Sequence, residues 1–514
     1  MQVPSEVDLL VVGGGINGAG IARDAAGRGL SLALCEQNDF AGATSSASTK
    51  LIHGGLRYLE YYEFRLVAEA LAEREVLLGI APHIAHPLRF VMPHVQGLRP
   101  AWMIRLGLFL YDRLGGRSTL PKSCAVRLPG SPLGAGLKPQ YRKGFVYSDA
   151  RVDDARLVIL NLRSAAAHGA HILPRMRFCG AERVEGRWHA RLEDLRSGEH
   201  HELHARMLVN AAGPWVSQVA GTLGQGGGPA KVRLVKGSHI VVPRLYQGDH
   251  AYIVQDAGKR IIFMIPYERE FTLIGTTDVA VDAAADGVRI SREEIDYLCT
   301  SVSRYTPHAV TPDMVVWSYS GVRPLYDNGK GDPSAVTRDY TLVLDDGGQN
   351  VPQLSIFGGK ITTYRRLAES AMDKLQPWLG ERRGKWTGTE GLPGADMGQG
   401  GAAGLLARLG ERYPRLPAAL LPDLVRRYGS LAYDVLGESS EPDDLGRDFG
   451  GGLYEREVRY LIEHEWAYEA DDILWRRTKT GLHMNAQQRA ELGDFLAGMP
   501  GLQAQDSALE QAYA

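Results

Sequence analysis

The chain has 514 residues, room for two or three domains, with 44% apolar and 23% charged residues, the balance of an ordinary globular protein. Lys and Arg number 58 against 60 Asp and Glu, a formal net charge of -2, so no overall field calls for nucleic acid. No apolar run reaches the ~18–20 residues that span a bilayer, which limits any membrane contact to a peripheral one.

Four cysteines, Cys35, Cys124, Cys179 and Cys299, stand too far apart for a metal or redox pair and read as buried reduced thiols. No metal site is expected. The opening MQVPSEVDLL has no basic n-region and runs into a strand, so no targeting peptide is expected.

Apolar Leu9 to Val12 reads as a buried strand, and Gly13, Gly15 and Gly18 then fit G-x-G-x-x-G. Ile16 to Arg28 is Ala-rich and helical, Leu30 to Leu34 is a second strand, and Glu36 follows at the distance expected of a ribose-binding acid. The first glycine permits a tight turn, the second brings backbone N–H groups to a pyrophosphate, and the third packs helix on strand. The helix N-terminus, with Asn17 in its first turn, offers unpaired donors to the phosphates. Glu36 suits an unphosphorylated ribose, hence FAD or NAD rather than NADP.

Asn38 to Lys50 is small and hydroxyl-rich, a loop able to pass close to a ligand, with Thr44, Ser45, Ser46 and Lys50 as candidate cofactor contacts. Next come His53, Arg57 and Tyr58 around Gly54-Gly55. Glu63 to Leu78 has helical periodicity and Leu88 to Pro93 reads as a strand. Arg99 to Leu114 is basic, aromatic and apolar, either a core helix or one lying in a membrane interface. Val152 starts a helix with an acidic first turn that runs to His168, and Ala170 to Leu173 is a strand. Phe178 to Ala205 reads as an antiparallel hairpin or meander.

Met207 to Trp215 is a strand ending in small residues, where Ala212 and Gly213 allow backbone to approach a flat ligand. Val232 to Asp278 holds several short strands, an antiparallel floor for a substrate domain, and Glu293 to Tyr305 is helical. Arg323 sits in Gly-Val-Arg-Pro. Leu354 to Arg365 gives a strand, the Gly358-Gly359 turn and a helix start carrying Lys360 and Thr363, a second helix terminus aimed at a ligand. That second turn suits the N1–C2=O edge of a fixed flavin and disfavours NAD. Leu392 to Gly404 reads as a linker, followed by helices over Leu421–Leu436, Glu455–Glu469 and Asn485–Gly498.

The segments GGGINGAGIARDAAGRG, TSSASTKLIHGGLRYLE, VDDARL, KGSHIVVP, IGTTD, YSGVRPL, FGGKITTYR and WRRTKTG together resemble the aerobic, FAD-dependent, quinone-linked glycerol-3-phosphate dehydrogenases of bacterial inner membranes. The resemblance covers nearly the whole chain. It implies an α/β fold: a Rossmann-type FAD-binding domain with an antiparallel-sheet substrate domain, D-amino-acid-oxidase-like, plus a helical C-terminal domain. The expected division is FAD domain 1–85, a substrate- or membrane-facing segment 86–145, FAD domain again 146–230, substrate domain 231–320, FAD domain 321–385, linker 386–404 and helical domain 405–514. The implied reaction is oxidation of sn-glycerol 3-phosphate to dihydroxyacetone phosphate, with electrons passed to ubiquinone. A homodimer, peripheral on the cytoplasmic side of the inner membrane, is also implied.

Such a reaction needs a hydride acceptor, a base and a phosphate clamp. Arg57 and Arg323, each near glycine, are the candidate clamp, because a planar guanidinium matches phosphate bidentately; Tyr58 adds a hydroxyl. His53 is the candidate base, and Lys360 the candidate for holding substrate oxygen or flavin charge. No attachment residue is evident, so FAD is expected to be non-covalent. An oxidase using O₂, or an amine or amino-acid oxidase on the same scaffold, stays open; two arginines favour phosphate over carboxylate.

Overall fold

The computed structural model describes residues 3–95, 99–223, 232–256, 258, 260–282, 287–326, 339–348, 350–380 and 382–499. The expected domain boundary at 230/231 and the final residues of the expected helical domain lie outside them.

The two strands that the sequence places at the start lie side by side in one sheet. The strand Glu6–Val12 pairs in parallel with Leu32–Glu36 on one side and His200–Asn210 on the other. His171–Pro174 and Gln353–Phe357 extend the parallel array, and Thr341–Asp345 adds an antiparallel edge. Leu9, Val11, Leu32, Leu34, Met207 and Val209 are buried on one face and Leu10, Ala33 and Leu208 on the other, so these strands are apolar on both faces, as a covered parallel sheet requires. Helices Ile16–Gly27, Asp154–Ala167 and Tyr364–Leu379 cover one face. The expected meander is real: Met176–Val184, Arg187–Asp194 and His200–Asn210 pair in sequence. It covers the other face through buried Trp188, whose Nε1 donates to the Pro352 carbonyl at 3.1 Å.

Among the described residues the second sheet has ten strands. It is antiparallel except where Ala251–Gln255 runs parallel to Ala85–Pro93. Trp317–Tyr326 pairs along its whole length with Val232–Pro243, from Val232↔Tyr326 to Val241↔Trp317. Helix Arg292–Ser303, started by a Ser291–Glu294 capping box, lies on one face. Helices Phe64–Ile80 and Ala101–Leu114 lie on the other. Leu51–Ile52 and Lys143–Val152 also belong to this sheet. The expected boundary at 145/146 therefore cuts a strand. That strand is buried on both faces almost throughout, so it has no alternation to read.

The helical domain has its own core, built from residues such as Leu405, Leu409, Leu424, Leu461 and Leu492. The expected helix Leu421–Leu436 is two helices, Leu420–Tyr428 and Ala432–Leu436, broken at Gly429. Glu455–Glu465 stops at Trp466, which takes a left-handed conformation. The stretch read as a linker is fastened down. Trp386 and Leu392 are buried, and Arg23 of the first helix stacks 4.7 Å from the Trp386 ring while donating to the Thr387 and Glu390 carbonyls at 3.2 and 2.7 Å. Of the cysteines, Cys35 and Cys299 are buried, Cys179 is half-buried and Cys124 is exposed, so the expectation of four buried thiols holds for two.

Candidate active site

The cleft opens beyond the carboxyl ends of the parallel strands, where open α/β sheets bind ligands, and extends to the second sheet. Its volume is about 710 Å³. At its nucleotide end Gly13 has φ +112°, and a Cβ there would stand 2.6 Å from the Ala211 carbonyl oxygen. Only glycine lets the two strand ends meet this closely. Glu36 accepts from the Gly14 and Asn38 N–H groups at 2.7 and 2.8 Å. Burial raises its pKa and those two bonds lower it, with burial the larger. Ser45 Oγ accepts from the Ile16 N–H at 2.9 Å, and Thr44 Oγ1 donates to the Val322 carbonyl at 2.6 Å, so the hydroxyl-rich loop is stitched to the start of the first helix and to the second sheet. Asn17 Nδ2 donates to the Gly358 carbonyl at 3.1 Å.

At the other end His53, Tyr58, His239, Arg233, Arg323 and Lys360 line the cleft. Lys360 Nζ lies 4.0 Å from the centre of the Tyr58 ring, a cation–π contact. Burial, with the Lys360 charge adding to it, lowers His53 to about 4, so its imidazole is neutral at neutral pH. Arg323 pairs with Asp278 at 2.5 Å and leans on the Thr277 carbonyl at 3.4 Å. His239 stacks on Tyr319 with centroids 4.9 Å apart, and its Nε2 meets Thr49 Oγ1 at 3.0 Å. Burial first, then Lys50 and Arg323, hold it down to about 3.

The model of the FAD dependent oxidoreductase family matches residues 8–365, and that of the C-terminal domain of alpha-glycerophosphate oxidase matches 386–498. A glycerol-3-phosphate dehydrogenase of Pseudomonas aeruginosa is 53% identical over 95% of this chain and 94% of its own. The chain belongs to the FAD-dependent glycerol-3-phosphate dehydrogenase family. A D-erythritol 1-phosphate dehydrogenase of Brucella abortus is 51% identical over 95% of this chain and 97% of its own. The crystal structure of the Bacillus halodurans glycerol-3-phosphate dehydrogenase complexed with FAD superposes with a TM-score of 0.74 at 28% identity, covering 96% of this chain and 90% of that one.

As in other FAD dependent oxidoreductases the cofactor is FAD, and the cleft fits it on its own evidence. Gly359 takes φ +95°, and a Cβ there would crowd Asn17 Nδ2 at 3.0 Å. Asn17 Oδ1, buried and facing this turn, has no partner among the described residues. The two glycine turns and this acceptor flank one slot.

For a dehydrogenase of this family the expected residues divide in two. Gly13, Gly15, Asn17, Glu36, Thr44, Ser45, His53, Tyr58, Ala212, Gly213, Arg323, Gly358, Gly359 and Lys360 share the cleft lining. Gly18, Ser46, Lys50, Arg57 and Thr363 do not line it. Gly18 lies beneath the turn, where a Cβ would strike the Gly13 carbonyl oxygen at 2.0 Å. Ser46 Oγ turns back to the Ala43 carbonyl at 3.4 Å. Lys50 is buried with its ammonium on Asp154 at 2.8 Å and the Ser46 carbonyl at 2.8 Å, so it shapes the loop from behind. Thr363 is buried at the N-terminus of helix Tyr364–Leu379. Arg57 points along the outside toward the Tyr61 hydroxyl, 3.5 Å away. Sequence reasoning missed Arg233, His239 and Asp278. His239 and Asp278 lie inside the segments KGSHIVVP and IGTTD, where His239 reads as a strand residue and Asp278 as the residue after the strands; the fold brings both into the cleft.

Proposed function

We propose that the protein oxidises sn-glycerol 3-phosphate to dihydroxyacetone phosphate and passes the electrons to ubiquinone. The observation that carries this reading is the juxtaposition, in a dinucleotide cleft, of cationic Arg323 and Lys360 with neutral His53. The Pseudomonas aeruginosa relative's name agrees with it. When bound, FAD supplies the acceptor for the hydride leaving substrate C2. Arg323, with Arg233 on the neighbouring strand, receives the phosphate in exchange for Asp278. Tyr58 and Lys360 hold the substrate oxygens. His53 takes the hydroxyl proton at a ring nitrogen, which its depressed pKa keeps free to accept. The walls of two sheets exclude water from that transfer.

Peripheral membrane attachment is supported by helix Ala101–Leu114. It buries Leu108 and Tyr111 and presents Trp102 (66% exposed), Leu106 and Phe109 (49%) outward, with Arg105 and Arg113 on the same helix. Tyr62 (80%) is exposed in the turn before helix Phe64–Ile80, and Glu60 in the same turn pairs with Arg99 at 2.5 Å. Aromatic residues beside arginines suit a headgroup interface. Among the described residues no helix is long and apolar enough to cross a membrane. The cytoplasmic side of the inner membrane and a homodimer follow from the family resemblance.

The deciding experiment is anaerobic mixing with sn-glycerol 3-phosphate while following the flavin band near ~450 nm. Bleaching followed by faster recovery with ubiquinone than with O₂ is expected. Fast recovery in O₂ makes it an oxidase, and no bleaching overturns the substrate. D-erythritol 1-phosphate, one carbon longer, belongs in the same experiment, because the Brucella abortus relative is nearly as similar as the Pseudomonas aeruginosa one. Flavin left in the supernatant after acid precipitation tests non-covalent binding.

A further inference from the structure

The WRRTKTG segment takes no part in the cleft lining, yet its two arginines reach the loop that follows Glu36. Arg477 is fully buried and straddles Asp39, with Nη1 to Oδ2 and Nη2 to Oδ1 both 2.7 Å. Its Nε and Nη2 also donate to the Glu465 carbonyl at 3.2 and 2.8 Å, which fixes the guanidinium on the helical domain. Arg476 adds a bond to Asp39 and pairs with Asp472 at 2.5 Å. Independently, Phe40 meets Trp466 edge to face, with centroids 5.5 Å apart and planes at 80°.

Beyond this grip the loop holds the glycine turn. The Ala41 N–H donates to the Gly14 carbonyl at 3.1 Å, and Glu36 accepts from Gly14. Phe40 fills the space beside Gly14, where a Cβ would meet its ring at 2.5 Å. Glu36, Asn38, Asp39 and Gly42 line the cleft. The acid after the second strand marks the ribose end of a dinucleotide.

We propose that Arg477, assisted by Arg476, is a positioning residue for FAD: the helical domain orders the Glu36–Gly42 loop in advance, so binding the adenosine end carries no ordering cost. The inference rests on FAD occupying this cleft. Charge-assisted bidentate pairs of this geometry are the strong class of hydrogen bond, and a loop fixed before binding raises affinity by preorganisation.

The test is release of FAD from diluted holoenzyme, followed by the rise of free-flavin fluorescence, with the thermal midpoint measured alongside. Arg477→Lys and Arg476→Gln are compared with Arg426→Gln. Arg426 fastens the same domain to the substrate sheet through Glu268, at 2.8 and 2.6 Å, away from the nucleotide loop. At least tenfold faster release is expected for the first two variants. Arg426→Gln should lower the midpoint while its release rate stays within twofold of the parent. If Arg477→Lys does not fold, Arg476, at 17% exposure less deeply buried than Arg477, carries the comparison. Unchanged release in Arg476→Gln and Arg477→Lys, or an equal rise in all three variants, overturns the proposal. A parent protein purified without flavin would instead fail the underlying FAD reading.

Discussion

The Tyr111 hydroxyl accepts the Gly54 N–H at 2.8 Å and donates to Asp149 at 2.7 Å, so the helix with the exposed apolar face is hydrogen-bonded to the loop that bears His53 and Tyr58. Burial lifts Asp149 to about 6, against the pull of Arg74 and of Tyr111 itself. Tyr111→Phe strands a buried donor and a buried acceptor, which costs about 1–3 kcal/mol. The expected result in denaturant unfolding is a loss of that size. In kinetics, KM for the substrate should rise several-fold with kcat changed less, since the loop is displaced but the base is intact. An unchanged KM would show that the loop keeps its place without Tyr111.

His53→Gln should retain FAD and substrate while kcat falls ~10²–10⁴-fold, the usual contribution of a general base. A loss under fivefold would transfer the proton to another group, of which His239 is the nearest in chemistry. The imidazole also leaves a signature in stability. The unfolded chain binds its proton near ~6.5, whereas burial and Lys360 hold the folded value at about 4. Between those values the unfolded state carries more protons, so stability is complete above ~6.5 and declines as pH falls toward about 4. In His53→Gln that decline should shrink.

Arg323→Met tests the phosphate clamp. A charge-assisted bond contributes about 1.5–3 kcal/mol, so KM should rise roughly 10- to 100-fold, with the lower figure favoured because the side chain is 42% exposed and already paired with Asp278. Asp278→Asn, which frees the guanidinium, should lower KM. Equal KM in parent and Arg323→Met would place the clamp elsewhere.

Trp102→Ser combined with Phe109→Ser removes two exposed rings and no core packing. Each ring buried in a membrane interface contributes on the order of 1.5–3 kcal/mol. Sedimentation with anionic vesicles should therefore show at least a hundredfold weaker partitioning at an unchanged melting temperature. Parent protein that stays in the supernatant would refute the interfacial reading outright.

Local patterns carried much of the fold. The strand–turn–helix–strand over Leu9–Glu36, the meander before Asn210 and the helix from Asp154 were all legible, because each follows from periodicity, caps or glycine placement within a few residues. Lys143–Val152 was not, because burial on both faces erases the alternation that marks a strand. The site was legible where chemistry and glycine sit side by side, as at His53 and Lys360. Direction was the hidden quantity: nothing near Arg57 or Lys50 shows that one points outward and the other turns back onto Asp154. For Lys50 that depends on Asp154, 104 positions away.

Asp39 and Arg477 are separated by 438 positions. During synthesis the ribosome delivers the glycine turn first and the arginine that steadies its neighbouring loop only after nearly all the intervening chain has emerged. If Arg477 orders that loop for FAD, as proposed above, cofactor loading is a late step of synthesis. On that proposal, a chain lacking the arginine pair carries a half-made cradle, and tight retention of flavin would report that the distant helical segment has docked.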